Sequence, residues 1–357
     1  MNVRKDIVAV SIPFTSGIAL AAASAAAGIP VYVTAGTCTA AAASMLSLSC
    51  REGPANTSLT ALYILLGAIC WFNCRICGNP TANIPAAALR GLERLDTLID
   101  STGFADPGTT ALLKALLTGQ RDFLDHGTVE SFRRSGASHI LALSGLHLGI
   151  IYSCIAGVLR ILGNGRAASF TRSLLSVLIC GFYVLMTGAA PSTVRALIFI
   201  CLNELARQMP GRRRDPLAIL CTALTLQLCI SPSVISSVGF QLSYLAMLGI
   251  FTLAPVLQGW YPETTKWDPL HRIWSSIALT VSCQAFTAPL VWFRFHTFPK
   301  YFLLTNLIAL PVTELLMVSA AAAIALSAAG ICPTYAKSLV DILAQALIFC
   351  LEVISGM

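Results

Sequence analysis

The chain has 357 residues, of which 56% are hydrophobic and only 11% are charged, and its mean hydropathy is +0.76. A soluble domain usually carries about 25% charged residues. This composition therefore excludes an ordinary soluble domain and predicts a chain that lies mostly in lipid. The formal net charge of +7 is compatible with a polyanionic partner, but the basic cytoplasmic loops of a membrane protein would also produce an excess of positive charge.

Apolar segments of about 20 residues, the length that crosses a bilayer as a helix, recur along the chain. They predict an all-α polytopic integral membrane protein with about eleven transmembrane helices, some of them broken or kinked, and short amphipathic helices outside the membrane. The predicted spans are residues 7–28, 31–49, 58–77, 138–160, 172–189, 191–208, 216–231, 234–257, 273–296, 302–328 and 334–354.

The basic residues between these spans predict the orientation, because short cytoplasmic loops collect Lys and Arg. With the N-terminus in the cytoplasm, the following basic residues all fall on the cytoplasmic side: Arg4, Lys5, Arg51, Arg160, Arg166, Arg172, Arg207, Arg212, Arg213, Arg214, Lys266 and Arg272. The pattern therefore predicts a cytoplasmic N-terminus and an external C-terminus.

Three parts follow from the distribution of the spans: a three-span segment at residues 1–77, an extracytoplasmic helical linker at 78–131 and a membrane core at 132–357. Within the linker, leucines recur at helical spacing against charged residues over 86–100, which predicts an amphipathic helix on the membrane surface or on the bundle. A second helix is predicted over 109–118, after a turn.

The stretch from Phe132 to Tyr152, FRRSGASHILALSGLHLGIIY, keeps polar side chains inside an apolar run. An unsatisfied polar group in hydrocarbon costs several kcal/mol, so His139, Ser144 and His147 point to an interior or a pathway. If the stretch is helical, Ser144 and His147 share a face. Three glycines would also let another backbone or a substrate come close; they are Gly136, Gly145 and Gly149.

This stretch resembles the signature of the ComEC family of competence proteins, and two further motifs follow in the family's order. They are TGAAPSTVRAL at 187–197 and GFQLSYLAMLGI at 239–250. The resemblance covers the membrane core from about Thr109 onward. It implies an inner-membrane channel that imports a single strand of transforming DNA during natural competence.

The resemblance also implies where the DNA path lies and which partners the chain has. The signature or path residues are Arg133, Arg134, Gly136, His139, Ser144, Gly145, His147, Ser192, Arg195 and Gln241. The implied partners are single-stranded DNA held through its phosphate backbone, membrane lipid, a DNA receptor, a separate nuclease, a cytoplasmic ATPase motor and a second copy of the chain. No cofactor is implied.

The arginines in these motifs have a structural alternative. Arg195 can snorkel to the outer interface as an anchor, or it can face the pathway and bind phosphate with its planar guanidinium. Arg133 and Arg134 can likewise be interfacial anchors or an electropositive entrance for a polyanion.

Two further polar residues are predicted to be structural. Glu314 lies in the middle of a predicted span, three residues after Pro311, and would pair with an arginine such as Arg195 or Arg294. Asn306 is more simply explained by an interhelical hydrogen bond.

Two other function classes remain open: an intramembrane hydrolase with a Ser144/His147 dyad, and a small-solute carrier built on broken helices. Longer ComEC-like proteins add an oligonucleotide-binding domain and a metallo-β-lactamase-like domain. The chain shows no HxHxDH motif and no Walker motif, and it ends directly after its last span. We therefore expect no catalytic residue and no metal site.

Overall fold

The computed structural model describes residues 3–52, 56–77, 84–163, 165–208, 215–262, 268–296 and 301–356. All regular secondary structure in these ranges is helical. The α-helices are α1 (Val3–Ala26), α2 (Val31–Glu52), α3 (Asn56–Cys77), α4 (Ala86–Thr102), α5 (Pro107–Thr118), α6 (His126–Arg134), α7 (Ser138–Leu141), α8 (Gly145–Val158), α9 (Arg166–Met186), α10 (Pro191–Gln208), α11 (Pro216–Ile230), α12 (Val238–Thr252), α13 (Ala254–Gln258), α14 (Pro269–Phe295), α15 (Phe302–Ala328) and α16 (Thr334–Ser355).

Nine of the eleven predicted spans each coincide with one helix, whereas 138–160 and 234–257 are each divided between shorter helices. In the described part of the chain, eight segments are long and apolar enough to cross a membrane: α1, α3, α8 with the 3-10 turn after it, α9, α12 with α13, α14, α15 and α16. The three other predicted spans correspond to α2, α10 and α11. The prediction of an all-α polytopic membrane protein is confirmed.

The chain divides into two compact units, each built from two separate stretches. The first comprises Met1–Ala82 and Leu202–Phe251, and the second comprises Asn83–Cys201 and Thr252–Met357. The predicted boundary at residue 78 and the basic residues 212–214 and 266 lie outside the described residues, as do the side chains of Arg4 and Arg51.

In the first unit, α1 packs closely on α3 and on α11. Gly17 of α1 and Gly67 of α3 make the close approach possible, because a Cβ at Gly17 would collide with the carbonyl oxygen of Ile64, and one at Gly67 with that of Phe14. Two continuous helices thus come into backbone contact at a pair of glycines.

The second unit is built around a core formed by α5 with α15 and α16, to which α6 adds Phe132 and α7 adds Ile140 and Leu141. The predicted linker helices are present as α4 and α5. Asp106 caps α5 by accepting the backbone N–H of Gly108 at 2.9 Å, and Pro107 occupies the first helical position, as expected at a helix start.

The bounds of several predicted spans differ from those of the helices, and the difference is largest at 138–160. The segment 138–160 is not one helix: α7 ends at Leu141, and α8 starts only at Gly145. Gly136 has a positive φ of 80°, while Ala142 and Ser144 are extended. The apolar run alone did not reveal these two breaks.

Candidate functional site

The signature stretch is a chain of short helices with two breaks. The first break, at Ser135 and Gly136, separates α6 from α7, and the second, at Ala142 and Leu143, separates α7 from α8. A helix break leaves backbone carbonyls without their usual N–H partners. In an apolar environment those carbonyls must find other donors.

Four side chains donate hydrogen bonds to carbonyls at these breaks. The bonds are Thr305 Oγ1 to Ser135 O at 2.8 Å, His139 Nδ1 to Gly136 O at 3.2 Å, Arg121 Nε to Leu141 O at 3.1 Å and Ser192 Oγ to Leu143 O at 2.6 Å. Thr305 lies on α15, His139 on α7 and Ser192 on α10, whereas Arg121 lies in the loop that precedes α6. The broken backbone is therefore held by several elements of the second unit.

Ser144 and His147 form the start of α8. Ser144 is the N-cap residue, and its backbone N–H donates to Nδ1 of His147 at 3.2 Å. This is the reciprocal half of a capping box, with histidine in place of the usual Glu or Gln. The SGLH motif thus marks a helix start inside the signature.

The same pair has the spacing of a nucleophile and a base, since Ser144 Oγ lies 2.8 Å from His147 Nδ1. The Ser144 backbone N–H can only donate, so Nδ1 accepts, and the proton of the neutral ring lies on Nε2. His147 is buried, and Nε2 has no hydrogen-bond partner in the described part of the chain. The pair therefore lacks the third group that orients the base in a triad.

Ser192 and Arg195 lie one turn apart on α10, so their side chains share a face. Ser192 bonds to the second break, and the Arg195 side chain is only 5% exposed. This burial favours a guanidinium that faces the protein interior over one that snorkels to the surface as an anchor. The structure places a buried cation near the residue that holds the start of α8.

Arg133 and Arg134 are exposed at the end of α6, but they are not free cations. Both bond to Glu130: Arg133 Nε at 2.8 Å and Arg134 Nε at 2.7 Å. These hydrogen bonds lower the pKa of the Glu130 carboxyl to about 2. Glu130 remains charged at neutral pH, so the two arginines and the carboxylate together carry a local charge of +1.

Three other residues singled out in the sequence are Gln241, Glu314 and Asn306. Gln241 belongs to the first unit, where its Nε2 donates to Ile235 O at 2.8 Å. Glu314 is exposed on α15, and its expected ion pair with an arginine is not found among the described residues. Asn306 is half-buried on the same helix.

Gly145 and Gly149, the two glycines of α8 that were singled out in the signature, have different surroundings. A Cβ at Gly145 would meet Ala196 Cβ at 3.4 Å, whereas nothing described lies within 4 Å of one at Gly149. A close approach is therefore present only at Gly145. No group of three or more His, Cys, Asp or Glu side chains that could hold a metal ion occurs in the described ranges.

Arg121 and Thr305 were not predicted from the sequence. Thr305 lies far from the signature along the chain, whereas Arg121 lies shortly before it, and neither stands out by composition. A signal was available only indirectly: a Gly and a Ser that break an apolar run imply free carbonyls, and free carbonyls need donors. Which donors come close depends on the tertiary fold.

Comparison with known proteins gives a consistent result. The family model described as Competence protein matches residues 116–357, more than half of the chain. "ComE operon protein 3" of Bacillus subtilis is 26% identical over 205 residues, which cover 57% of the chain. "Recombination protein 2" of Haemophilus influenzae is 28% identical over 219 residues, covering 58% of the chain.

A third relative, "Uncharacterized protein YcaI" of Escherichia coli, is 24% identical over 217 residues, again 58% of the chain. The matched parts cover only 25%, 27% and 28% of the lengths of these three relatives, respectively. No solved structure matches the chain.

Proposed function

The chain belongs to the ComEC family of competence proteins, and from this premise we propose that its membrane core is an inner-membrane channel for single-stranded transforming DNA. The family membership supports a role in competence DNA uptake. The channel, the transported strand and the orientation with a cytoplasmic N-terminus and an external C-terminus are parts of this proposal.

The observation that carries the proposal is the broken backbone of the signature. Non-helical backbone in a membrane protein is tolerated where it is buried in protein or lines a water-filled cavity. Here it is held by side chains from four places in the second unit. The buried guanidinium of Arg195 adds a cation of the kind that binds phosphate oxygens.

The partners follow from the same proposal. A strand is held through its phosphate backbone, without base-specific contacts, as in other non-specific single-strand binders. The chain itself is not catalytic. A separate nuclease supplies the strand, a DNA receptor delivers it, a cytoplasmic ATPase drives its movement, and two copies of the chain can form a homodimer.

An intramembrane hydrolase is the second candidate, because Ser144 Oγ and His147 Nδ1 are 2.8 Å apart. A dyad of this kind needs its base oriented by a third group. The capping role of both residues accounts for the short distance without any chemistry. A small-solute carrier has no comparable observation in its favour.

The test is uptake of labelled DNA by transformable cells that lack their own copy of the gene. We expect the intact chain to restore uptake and Arg195→Ala to abolish it, with the variant present in the membrane at the normal level. Arg195→Lys keeps the charge but lacks the planar fork, so we expect it to restore uptake only in part.

Normal uptake with Arg195→Ala would remove Arg195 from the DNA path. If the intact chain itself fails to restore uptake, the channel proposal for this chain is wrong. A hydrolytic activity of the purified chain that is lost in Ser144→Ala would favour the second candidate.

A further inference from the structure

A pocket lies between the linker helix α4 and the end of the span α9, entirely within the second unit. Its volume is about 500 Å³, and its lining includes Arg90, Arg94, Leu95, Leu98, Phe182 and Met186. The residues from α4 form one stripe of that helix, since they recur at intervals of three and four. The pocket is thus lined by two cationic side chains and by an apolar wall.

A glycine on α4 brings the two helices together at this place. A Cβ added at Gly91 would come within 2.9 Å of Phe182 Cζ and of Met186 Sδ. Gly91 itself belongs to the lining of the pocket.

The two arginines of the pocket form no ion pair with any described residue. Arg90 donates through Nε to the carbonyl of Ala86 at 3.3 Å. Among the carboxylates of α4, Asp100 pairs with Lys114, and Asp96 accepts from Gln120. Both arginines are exposed and are not held by a described carboxylate.

The pocket lies at the level where a membrane span ends. Met186 is the last residue of the candidate span Arg166–Met186, whereas α4 is not among the helices that could cross a membrane. Phe182, one turn before the end of α9, is 44% exposed. A span that ends at Met186 would have the apolar wall beside the acyl chains and the arginines beside the headgroups.

We propose that this pocket binds one anionic phospholipid, with its phosphate between Arg90 and Arg94 and an acyl chain along Leu95, Leu98, Phe182 and Met186. Basic side chains at the membrane surface attract anionic headgroups, and the apolar wall has the chemistry of an acyl-chain site. A nucleic-acid strand fits less well, because the wall has one aromatic ring, that of Phe182, and so offers no series of stacking planes for bases.

The test compares lipid retention by the full chain in nanodiscs that contain phosphatidylcholine and phosphatidylglycerol. Native mass spectrometry counts the phospholipid that stays bound after release. We expect the intact chain to retain one phosphatidylglycerol in preference to phosphatidylcholine. In Arg90→Gln/Arg94→Gln that preference falls about tenfold, because two headgroup contacts are lost.

The matched control is Arg166→Gln/Arg172→Gln, which removes the same charge from the other end of α9, and we expect it to keep the bound lipid. Ala87→Trp tests the apolar part, since it fills the pocket while leaving both arginines in place. It should abolish retention of the single lipid. Size-exclusion profiles establish that each variant remains folded.

Equal retention of phosphatidylglycerol by Arg90→Gln/Arg94→Gln and by the intact chain would overturn the proposal. So would equal losses in the two double variants, because the effect would then be one of net charge. Displacement of the lipid by a single-stranded oligonucleotide, with normal retention in Ala87→Trp, would assign the arginines to nucleic acid and also overturn it.

Discussion

The pairing of α1 with α3 in the first unit and the segment from α6 to α8 in the second solve the same problem in opposite ways. Both must keep backbone polar groups satisfied in apolar surroundings. The α1–α3 pair keeps both helices continuous and brings them into contact at Gly17 and Gly67. The α6–α8 segment interrupts its helices twice and takes donors from other elements.

This difference shows where a membrane protein can hold functional groups. Continuous helices satisfy their own backbone and need only small residues to pack closely. A broken segment depends on polar side chains, and those side chains bring hydroxyl and guanidinium groups into the protein interior. The polar residues of the signature are thus required by the backbone, whatever further role they have with a substrate.

The largest effect is expected where backbones touch. Gly17→Leu and Gly67→Leu each place a side chain against a carbonyl oxygen of the partner helix, and since neither backbone can move without shifting its helix, we expect a loss of about 3 kcal/mol or more in unfolding free energy. Thermal unfolding in detergent measures the change. Gly36→Leu is the control, because nothing described lies near Gly36.

A stable Gly17→Leu variant, no different from Gly36→Leu, would show that α1 and α3 are not packed through their backbones. The contrast between continuous helices that pack through glycines and the broken α6–α8 segment would then not hold.

The next effect concerns the broken segment. Ser192→Ala removes the donor to the carbonyl of Leu143, a residue only 9% exposed. A buried acceptor left without a partner costs about 1 to 3 kcal/mol, so thermal unfolding should show a loss of this size. Ser153→Ala is the control, because Ser153 is exposed and its hydroxyl bonds, among the described residues, to Gly149 O one turn back on its own helix.

If Ser192→Ala and Ser153→Ala lose equally little stability, the Leu143 carbonyl has another donor. The idea that α10 holds the start of α8 would then have to be abandoned.

The sequence predicts the two regions unequally well, for a physical reason. Continuous spans follow from hydropathy alone, and most of the predicted spans are single helices. The bounds of 138–160 were wrong, because hydropathy does not register a change of backbone conformation. Two residues of the sequence could have indicated the breaks: Gly136, because glycine readily adopts a positive φ, and Ser144, because serine is a common N-cap residue.

The partners of the broken segment were harder to predict. Ser192 was singled out through its motif, but Thr305 and Arg121 reach the segment only in the folded chain. The ion pair expected for Glu314 is missing from the described residues, since a residue in an apolar segment can still face outward. Sequence position along a span does not determine which face a side chain occupies.

A smaller change in stability is expected at His147, where two variants distinguish a helix-capping role from a chemical role of the imidazole. His147→Gln keeps an acceptor for the Ser144 N–H, as in the usual capping box, whereas His147→Ala does not. We expect the Gln variant to be about 1 kcal/mol more stable than the Ala variant in thermal unfolding. It should also keep DNA uptake. Loss of uptake in His147→Gln, with normal stability, would show that the imidazole does more than start a helix.

The smallest effect is at the exposed end of α6, where Glu130 holds Arg133 and Arg134. The carboxyl pKa is lowered to about 2, so the stability that these ion pairs add is present above about pH 4.5, the ordinary glutamate pKa, and is lost as pH falls through about 2.

Glu130→Gln removes both ion pairs and raises the local charge from +1 to +2. We expect slightly tighter binding of a single-stranded oligonucleotide, with a salt dependence steeper by about one phosphate contact, measured by fluorescence anisotropy over a salt series. Arg133→Gln/Arg134→Gln should shift both quantities in the opposite direction, and an unchanged salt dependence in all variants would place the arginine pair away from the DNA.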